Sequence, residues 1–199
     1  MGVEGIILAA GLSSRAARYK MTLAFNNKTV IENTIDNMLD FCKRVIIVGG
    51  HKIENLQPIV EKYSKVDLVL NEDYMQGMYS SVKKGMSCIR EDRFFFTPGD
   101  YPLITPEVYR ELLLHKAPVV IPTFEGRKGH PILFNSNIIG DVLHCTTYKT
   151  LRDVISNKYT VLTEVNCRGI IMDLDTIEDY EMMIASIYVV KKIYHVLNQ

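Results

Sequence analysis

The sequence predicts an α/β protein in which a largely parallel sheet lies between layers of helices. Short apolar runs of strand length alternate with longer segments of helical periodicity. The early runs are apolar throughout, which is typical of strands buried on both faces. The first part of the chain follows a strand–helix–strand–helix order, as parallel sheets with crossover helices require.

Eight apolar runs are predicted strands and six periodic segments are predicted helices. The strands are Gly5–Ala10, Arg44–Val48, Val66–Leu70, Phe94–Thr97, Val119–Pro122, Ile132–Phe134, Val161–Val165 and Ile170–Met172. The helices are Thr29–Phe41, Ile53–Tyr63, Met78–Ile89, Pro106–His115, Leu151–Asn157 and Glu178–Leu197. From the Phe124–Pro131 loop onward the order is less regular, so we expect a mixed sheet with an added subregion.

Length and charge narrow the function. The 199 residues predict a single domain over residues 1–199, ending in a helix at residues 177–197. The chain has 23 basic residues (Lys and Arg) and 23 acidic residues (Asp and Glu), so its formal net charge is zero. This balance argues against nucleic acid or an acidic membrane as partner. The N-terminal apolar run is too short for a signal or membrane segment, and the four cysteines are widely spaced. We therefore expect a cytoplasmic protein without a disulfide framework or structural zinc.

The segment Gly5–Lys20 is the most informative part of the chain. Its apolar run ends at Gly11, where a residue without a side chain allows a sharp turn and close approach of the backbone to a ligand. The loop that follows is rich in small residues and carries Arg15, Arg18 and Lys20. Backbone amides and cations at the end of a buried strand favour a polyanion, so the segment predicts a triphosphate cradle.

Two acidic loops follow predicted strands. Asp100 lies in Pro98–Pro102, and a carboxylate held at a strand end suits Mg²⁺; the alternative is an ordinary turn. Strand alternation places Asp173 and Asp175 on one face, with Thr176 as the predicted N-cap of the last helix. Helix capping alone would not explain Asp173. Together with the cationic loop, these carboxylates predict metal-assisted phosphoryl or nucleotidyl transfer.

Two further loops offer ligand contacts. In Asn71–Ser81, Asn71 and Ser81 can hydrogen-bond a base edge and Gly77 leaves room for a flat ring; the alternative is an ordinary strand-to-helix loop. The loop Gly126–Pro131 combines glycines with cations and His130, which suits an anionic or polar ligand; the alternative is a solvated basic turn.

These segments, in this order, resemble the molybdenum cofactor nucleotidyltransferases, and most nearly their cytidylyltransferase branch. The segments are Leu8–Arg15 with Lys20, Pro98–Pro102, Gly126–Pro131 and Asp173–Tyr180. The resemblance runs nearly end to end. It implies a three-layer α/β/α nucleotidyltransferase fold, Rossmann-like and of the glycosyltransferase-A type, with a mostly parallel mixed sheet.

The resemblance also implies a reaction and a role for each residue. The phosphate of a molybdopterin-type acceptor attacks the α-phosphorus of a nucleoside triphosphate and expels pyrophosphate, with Mg²⁺ as cofactor. The motif Ala9-Ala10-Gly11 resembles that of the cytidylyltransferases, which favours CTP over GTP as the nucleotide. The implied catalytic residues are Arg15, Lys20 and Asp100. The implied metal ligands are Asp100 and Asp175, and Asp173 is the alternative to Asp175. The implied nucleotide contacts are Leu8, Ala9, Ala10, Gly11, Ser13, Asn71, Gly77 and Ser81. The implied acceptor contacts are Arg127, Gly129, His130 and Arg152.

Departures from the family pattern keep alternatives open. Ala16-Ala17 stands where relatives usually carry Met-Gly, and the glycines that relatives carry before Leu151-Arg152 are absent. A sugar- or polyol-phosphate acceptor is one alternative, and a nucleotide-binding relative without turnover is another. The final helix carries an apolar stripe that predicts packing on the sheet or a homodimer seam, so we expect a monomer or weak homodimer. The resemblance allows transient contact with a molybdoenzyme or its chaperone.

Overall fold

The computed structural model describes residues 2–11, 19–176 and 178–185. The strands are β1 Val3–Ala9, β2 Ala24–Phe25, β3 Lys28–Thr29, β4 Arg44–Gly49, β5 Val66–Leu70, β6 Arg93–Pro98, β7 Val119–Phe124, β8 Arg127–Lys128, β9 Ile132–Asn135 and β10 Thr160–Glu164. The α-helices are α1 Val30–Leu39, α2 Gln57–Val60, α3 Met78–Met86, α4 Pro106–Leu113, α5 Ile139–His144 and α6 Leu151–Ser156. Residues 178–185 are also helical.

One eight-stranded sheet organises the molecule, in the order β10-β7-β9-β6-β1-β4-β5, with β8 paired to β7. Neighbours β4 and β6 both run parallel to β1, whereas β9 runs antiparallel to β6 and to β7. The mostly parallel mixed sheet predicted from the sequence is therefore confirmed. The chain moves to opposite sides of β1 when it forms β4 and β6, so a crevice opens at the carboxyl end of β1.

The sheet has an apolar layer on each face, which makes the fold three-layered. Along β1, Ile7 belongs to the cluster that contains α1 and α4 side chains, while Ile6 belongs to the cluster with α3, α5 and α6. Both isoleucines are 0% exposed. The two-residue alternation of a strand thus divides an unbroken apolar run between two cores.

One predicted helix differs in the structure, and several short elements of the structure were not predicted. The predicted helix Ile53–Tyr63 is a 3₁₀ turn, Ile53–Asn55, followed by the short α2. The hairpin of β2 and β3, the strand β8 and helix α5 were not predicted. The hairpin turns at Asn26 and Asn27, which have φ of 48° and 66°, a left-handed geometry that asparagine tolerates.

The predicted strand Ile170–Met172 is wrong, because Arg168–Ile171 forms a 3₁₀ turn. Two glycines explain the difference. A Cβ on Gly169 would collide with the Leu103 carbonyl, and one on Gly129 would collide with the Ile170 carbonyl. This close backbone packing holds the segment against two loops, where it pairs through single bonds such as His130 N–H to Ile170 O at 2.9 Å.

The last helix is described only at its beginning. Residues 178–185 are helical as predicted, and Met183 of the apolar stripe is buried with Phe25, Val30 and Leu174. The rest of the stripe lies outside the described residues. No helix within the described ranges has the length and apolar content to cross a membrane.

Candidate active site

Two clefts meet at the carboxyl edge of the sheet. The first has a volume of about 350 Å³ and lies against the end of β1, and the second has a volume of about 980 Å³ and lies beyond β6. Their shared wall consists of Gly77, Met78, Pro98, Asp100 and Asp175. Residues far apart in the sequence thus line one continuous depression with two halves.

The first cleft gathers most of the residues predicted to contact the nucleotide. Its lining includes Leu8, Ala9, Ala10, Gly11, Lys20, Gly77 and Ser81. Gly11 does not adopt a left-handed φ, and no described atom lies within 4 Å of the position a Cβ would take there. Ser13 and Arg15 lie outside the described residues.

The Lys20 side chain is buried beside the shared wall. Tyr19 Oη donates to the Ala9 carbonyl at 3.0 Å, which fixes the returning chain against the end of β1. The 3₁₀ turn Lys20–Thr22 then directs Lys20 Nζ to Asp175 Oδ1 at 2.7 Å. The lysine side chain is 9% exposed and that of Asp175 is 43% exposed. The predicted phosphate-binding cation and the predicted metal carboxylate are therefore in direct contact.

Asp100 is held in a rigid loop. The Gly99 amide donates to Leu8 O at 2.8 Å, Thr34 Oγ1 donates to Gly99 O at 3.1 Å, and the Leu174 amide donates to Asp100 O at 3.0 Å. A Cβ on Gly99 would lie 2.8 Å from Met21 Sδ, so the backbone packs closely here. The carboxylate is thus positioned by bonds to its backbone neighbours.

The Asp100 carboxylate lacks a full set of hydrogen-bonding and charge partners among the described residues. Its Oδ1 atom is buried and has no hydrogen-bond partner among the described residues. Burial raises the pKa of Asp100 to about 6; Lys20 lowers it, while Asp173 and Asp175 raise it further. A cation bound here would offset both the desolvation and the repulsion.

The donor set fits a cation whose coordination is completed by phosphate. Within the described part of the chain, no group of three or more His, Cys, Asp or Glu side chains is placed to hold a metal ion. Mg²⁺ is commonly held by one or two carboxylates together with water and substrate phosphates. Asp100 and Asp175 on the shared wall meet that requirement, and Asp173 lines the second cleft beside them.

Asp173 does not lie in a strand, since residues 172–175 have no regular structure. The prediction that alternation places Asp173 and Asp175 on one face is therefore wrong, although both line the second cleft. The N-cap prediction holds. Thr176 Oγ1 accepts from the Asp179 amide at 3.1 Å, and Asp179 Oδ2 accepts from the Thr176 amide at 2.8 Å.

Asn71 supports the first cleft from behind. Its side-chain amide donates to Ser80 Oγ and Ser81 Oγ, both at 2.9 Å, and its Oδ1 accepts from the Asp73 amide at 3.1 Å. Asn71 is 3% exposed and is not in the cleft lining, whereas Ser81 is. Gly77 has φ 97° and ψ 178°, a conformation essentially restricted to glycine, and no described atom lies within 4 Å of where its Cβ would stand.

The second cleft gathers three of the four predicted acceptor residues. Gly129, His130 and Arg152 line it, and Arg127 does not. His130 is not part of a solvated basic turn. Burial lowers its pKa to about 4, its Nδ1 has no partner in the described structure, and its ring meets Tyr101 edge-on at 4.9 Å. At neutral pH the imidazole is uncharged, so the positive charge on this wall comes from lysine and arginine.

Several lining residues were not predicted. In the second cleft they include Tyr79, Tyr101, Lys128 and Lys149, and in the first cleft Tyr74, Met75 and Met78. Tyr101 and Lys128 lie next to Asp100 and Gly129, which the sequence predicts as site residues. That proximity in the sequence could have identified both as lining residues. Lys149 lies three residues before Arg152, a predicted acceptor contact, so Arg152 was the available signal there.

The fold and these clefts define a class of protein. It is an α/β protein with a two-part cleft at the carboxyl edge of a mostly parallel sheet, the edge at which such sheets bind their ligands. A family model described as the MobA-like NTP transferase domain matches residues 5–162. The chain belongs to this family, and it is a nucleotidyltransferase.

Individual relatives agree with this assignment. The molybdenum cofactor cytidylyltransferase of Escherichia coli (strain K12) is 32% identical over 181 residues, which cover 89% of this chain and 93% of the relative. A probable molybdenum cofactor guanylyltransferase of Methanosarcina mazei is 24% identical, over 91% of this chain and 89% of its own. A nucleotidyl transferase of Methanothermobacter thermautotroptrophicus has a similar fold, with a TM-score of 0.83, 18% identity and coverage of 95% and 99% of the two chains.

Proposed function

We propose that this protein transfers CMP from CTP to the phosphate of a molybdopterin-type cofactor and releases pyrophosphate, with Mg²⁺ as the divalent cation. The observation that carries this proposal is the buried Asp100 carboxylate on the wall shared by two clefts. One cleft is lined by the strand end predicted to cradle a triphosphate, and the other by Lys128, Lys149 and Arg152. A donor and an anionic acceptor would meet at Asp100.

The chemistry needs no protein nucleophile. An acceptor phosphate oxygen attacks the α-phosphorus of the nucleotide, the α–β bridging bond breaks, and the electron pair leaves with pyrophosphate. In this proposal Lys20, which lines the first cleft, and Arg15 neutralise charge on the triphosphate. When held by Asp100 and Asp175, a divalent cation supplies charge neutralisation at the phosphates. Catalysis by this chain is then mainly positioning and electrostatic stabilisation.

Three observations support CTP and the molybdenum cofactor. Ala10, whose methyl group would favour a pyrimidine over the larger purine, is 6% exposed and belongs to the lining of the first cleft. The 32% identical relative, over most of both chains, is named as a molybdenum cofactor cytidylyltransferase. The cationic residues of the second cleft suit a phosphorylated acceptor.

The test is pyrophosphate release by the full chain with CTP, GTP or UTP, crossed with molybdopterin cofactor, a sugar phosphate or no acceptor, with Mg²⁺ or EDTA. We expect release only with CTP, molybdopterin cofactor and Mg²⁺ together. Use of GTP instead would overturn the cytidylyl assignment, and use of a sugar phosphate would overturn the acceptor. Nucleotide binding without release under any condition would show a relative that has lost turnover.

A further inference from the structure

Two methionines stand out among the exposed apolar side chains. Met75 is 70% exposed and Met78 is 68% exposed, and both line the first cleft. The other large apolar side chains that are exposed in the described structure, such as Leu114 and Tyr159, line neither of the two clefts. Isolated exposed apolar residues are common on protein surfaces, but a pair at the mouth of a binding cleft points to something that covers it.

The backbone that carries these methionines is well fixed. The 3₁₀ turn Tyr74–Gln76 is closed by the Gln76 amide bonded to Asp73 O at 2.9 Å and the Gly77 amide bonded to Tyr74 O at 3.2 Å. Ser80 Oγ bonds to the carbonyls of Asp73 and Gly77 at 2.9 and 2.8 Å. The segment is therefore ordered, and its two large apolar side chains, Met75 and Met78, are exposed.

Open space lies next to Gly77, which falls between the two methionines in the sequence. No described atom lies within 4 Å of the position a Cβ would take there. The lining of this cleft also includes the end of β1 at Leu8–Gly11, the apolar residues Met21 and Pro98, and the polar residues Lys20, Ser81, Asp100 and Asp175. The cleft therefore combines an apolar and a polar lining, and the exposed thioether groups of Met75 and Met78 offer the apolar surface that suits the face of a flat ring.

We propose that Met75 and Met78 form an apolar clamp that covers the nucleobase of the bound nucleoside triphosphate. This inference rests on the proposed nucleotide-binding function and names residues that contact the base. Thioether side chains are unbranched and polarisable, and they adapt to an aromatic face. The surrounding protein leaves the Met75 and Met78 side chains about two-thirds exposed. A bound nucleobase would bury them.

The test is thermal unfolding of the full chain with and without CTP, for Met75→Ala, Met78→Ala and the double variant. The matched control is Leu114→Ala, which removes an apolar side chain of 74% exposure that lines neither cleft. We expect the melting temperature without nucleotide to stay near that of the wild type in all variants. The affinity for CTP should fall about tenfold in each single variant, from the loss of apolar contact, and stay unchanged in Leu114→Ala.

The outcomes separate this inference from the function on which it rests. Wild-type affinity for CTP in the double variant would overturn the clamp and leave the nucleotidyltransferase proposal standing. No stabilisation of the wild type by any nucleoside triphosphate would overturn both. Met75→Leu and Met78→Leu should keep most of the CTP affinity, because they keep the apolar volume; equal losses in the Leu and Ala variants would contradict an apolar role. Binding is measured without acceptor, so the result does not depend on turnover.

Discussion

Lys20 Nζ lies 2.7 Å from Asp175 Oδ1, and this contact joins the cationic half of the site to its acidic half. The two residues are 155 positions apart in the chain. If Lys20 binds the triphosphate and Asp175 a cation, neither can do so while fully engaged with the other. Binding of nucleotide and cation together would therefore exchange one ion pair for two new ones, which favours their joint arrival.

Replacing Lys20 by Met should lower the rate and raise affinity for the free cation. Loss of one preorganised donor to a developing charge typically costs about 100- to 1000-fold in kcat. Asp175 would lose its lysine partner, so Mn²⁺ without nucleotide should bind more tightly, as measured by electron paramagnetic resonance. Lys43→Met is the control, since it breaks a lysine–carboxylate pair with Glu91 at the opposite edge of the sheet. Unchanged or weaker Mn²⁺ binding by Lys20→Met would contradict the exchange.

Replacing Asp100 by Asn should remove activity and increase stability at neutral pH. Burial raises the folded-state pKa of Asp100 from an ordinary 3.8 to about 6. Below pH 4 the group is protonated in both folded and unfolded chains. As pH rises from about 4 to 6 the unfolded chain loses its proton first, so the wild type loses stability across that window.

A difference of about two pKa units corresponds to at most about 3 kcal/mol in the free energy of unfolding. Asp100→Asn should show a gain of this order at pH 7.5 in EDTA, measured by urea unfolding, and no gain near pH 3.5. Asp67→Asn is the control, because Asp67 is half-exposed and paired with Arg44 at 2.8 Å. A loss of stability at pH 7.5 in Asp100→Asn would show that the carboxylate is satisfied in the folded state.

The sequence was most predictive where local pattern and chemistry coincide. Apolar runs predicted the parallel strands, and the charged loops predicted the site residues Lys20, Asp100 and Asp175, which all line the first cleft. The turn Arg168–Ile171 was misread because a short apolar run has no periodicity to separate a strand from a tight turn. Its actual shape depends on close approach to distant carbonyls, which local sequence does not encode.

Ligand contacts were harder to predict than the fold. Asn71 has the right chemistry to bind a base, but its amide is occupied by Ser80 and Ser81. Lys149 lies close to Arg152, a predicted acceptor contact, but its place in the lining of the second cleft follows only from the packing at the start of α6. The chemistry of a side chain can thus be read from the sequence, whereas the direction it faces depends on tertiary packing.

Replacing Gly77 by Ala should destabilise the fold and weaken nucleotide binding. With φ at 97° and ψ at 178°, an alanine costs about 1 to 3 kcal/mol even where space is open. The turn that carries Met75 and Met78 would shift, so the KM for CTP should rise. Gly140→Ala is the control: Gly140 lies in α5 without a positive φ, and its substitution should be neutral or stabilising by up to about 1 kcal/mol. Equal melting temperatures for the two variants would contradict strain at Gly77.

Replacing Arg152 by Met should impair acceptor binding and leave nucleotide binding intact. Arg152 lines the second cleft but not the first, and it makes no ion pair with a carboxylate in the described part of the chain. Loss of a hydrogen bond from a charged group costs about 1.5 to 3 kcal/mol, so the KM for the acceptor should rise at least tenfold. Arg110→Met is the control, since Arg110 pairs with Glu107 on the exposed surface of α4. An increased KM for CTP in place of the acceptor would assign the two clefts in the opposite order.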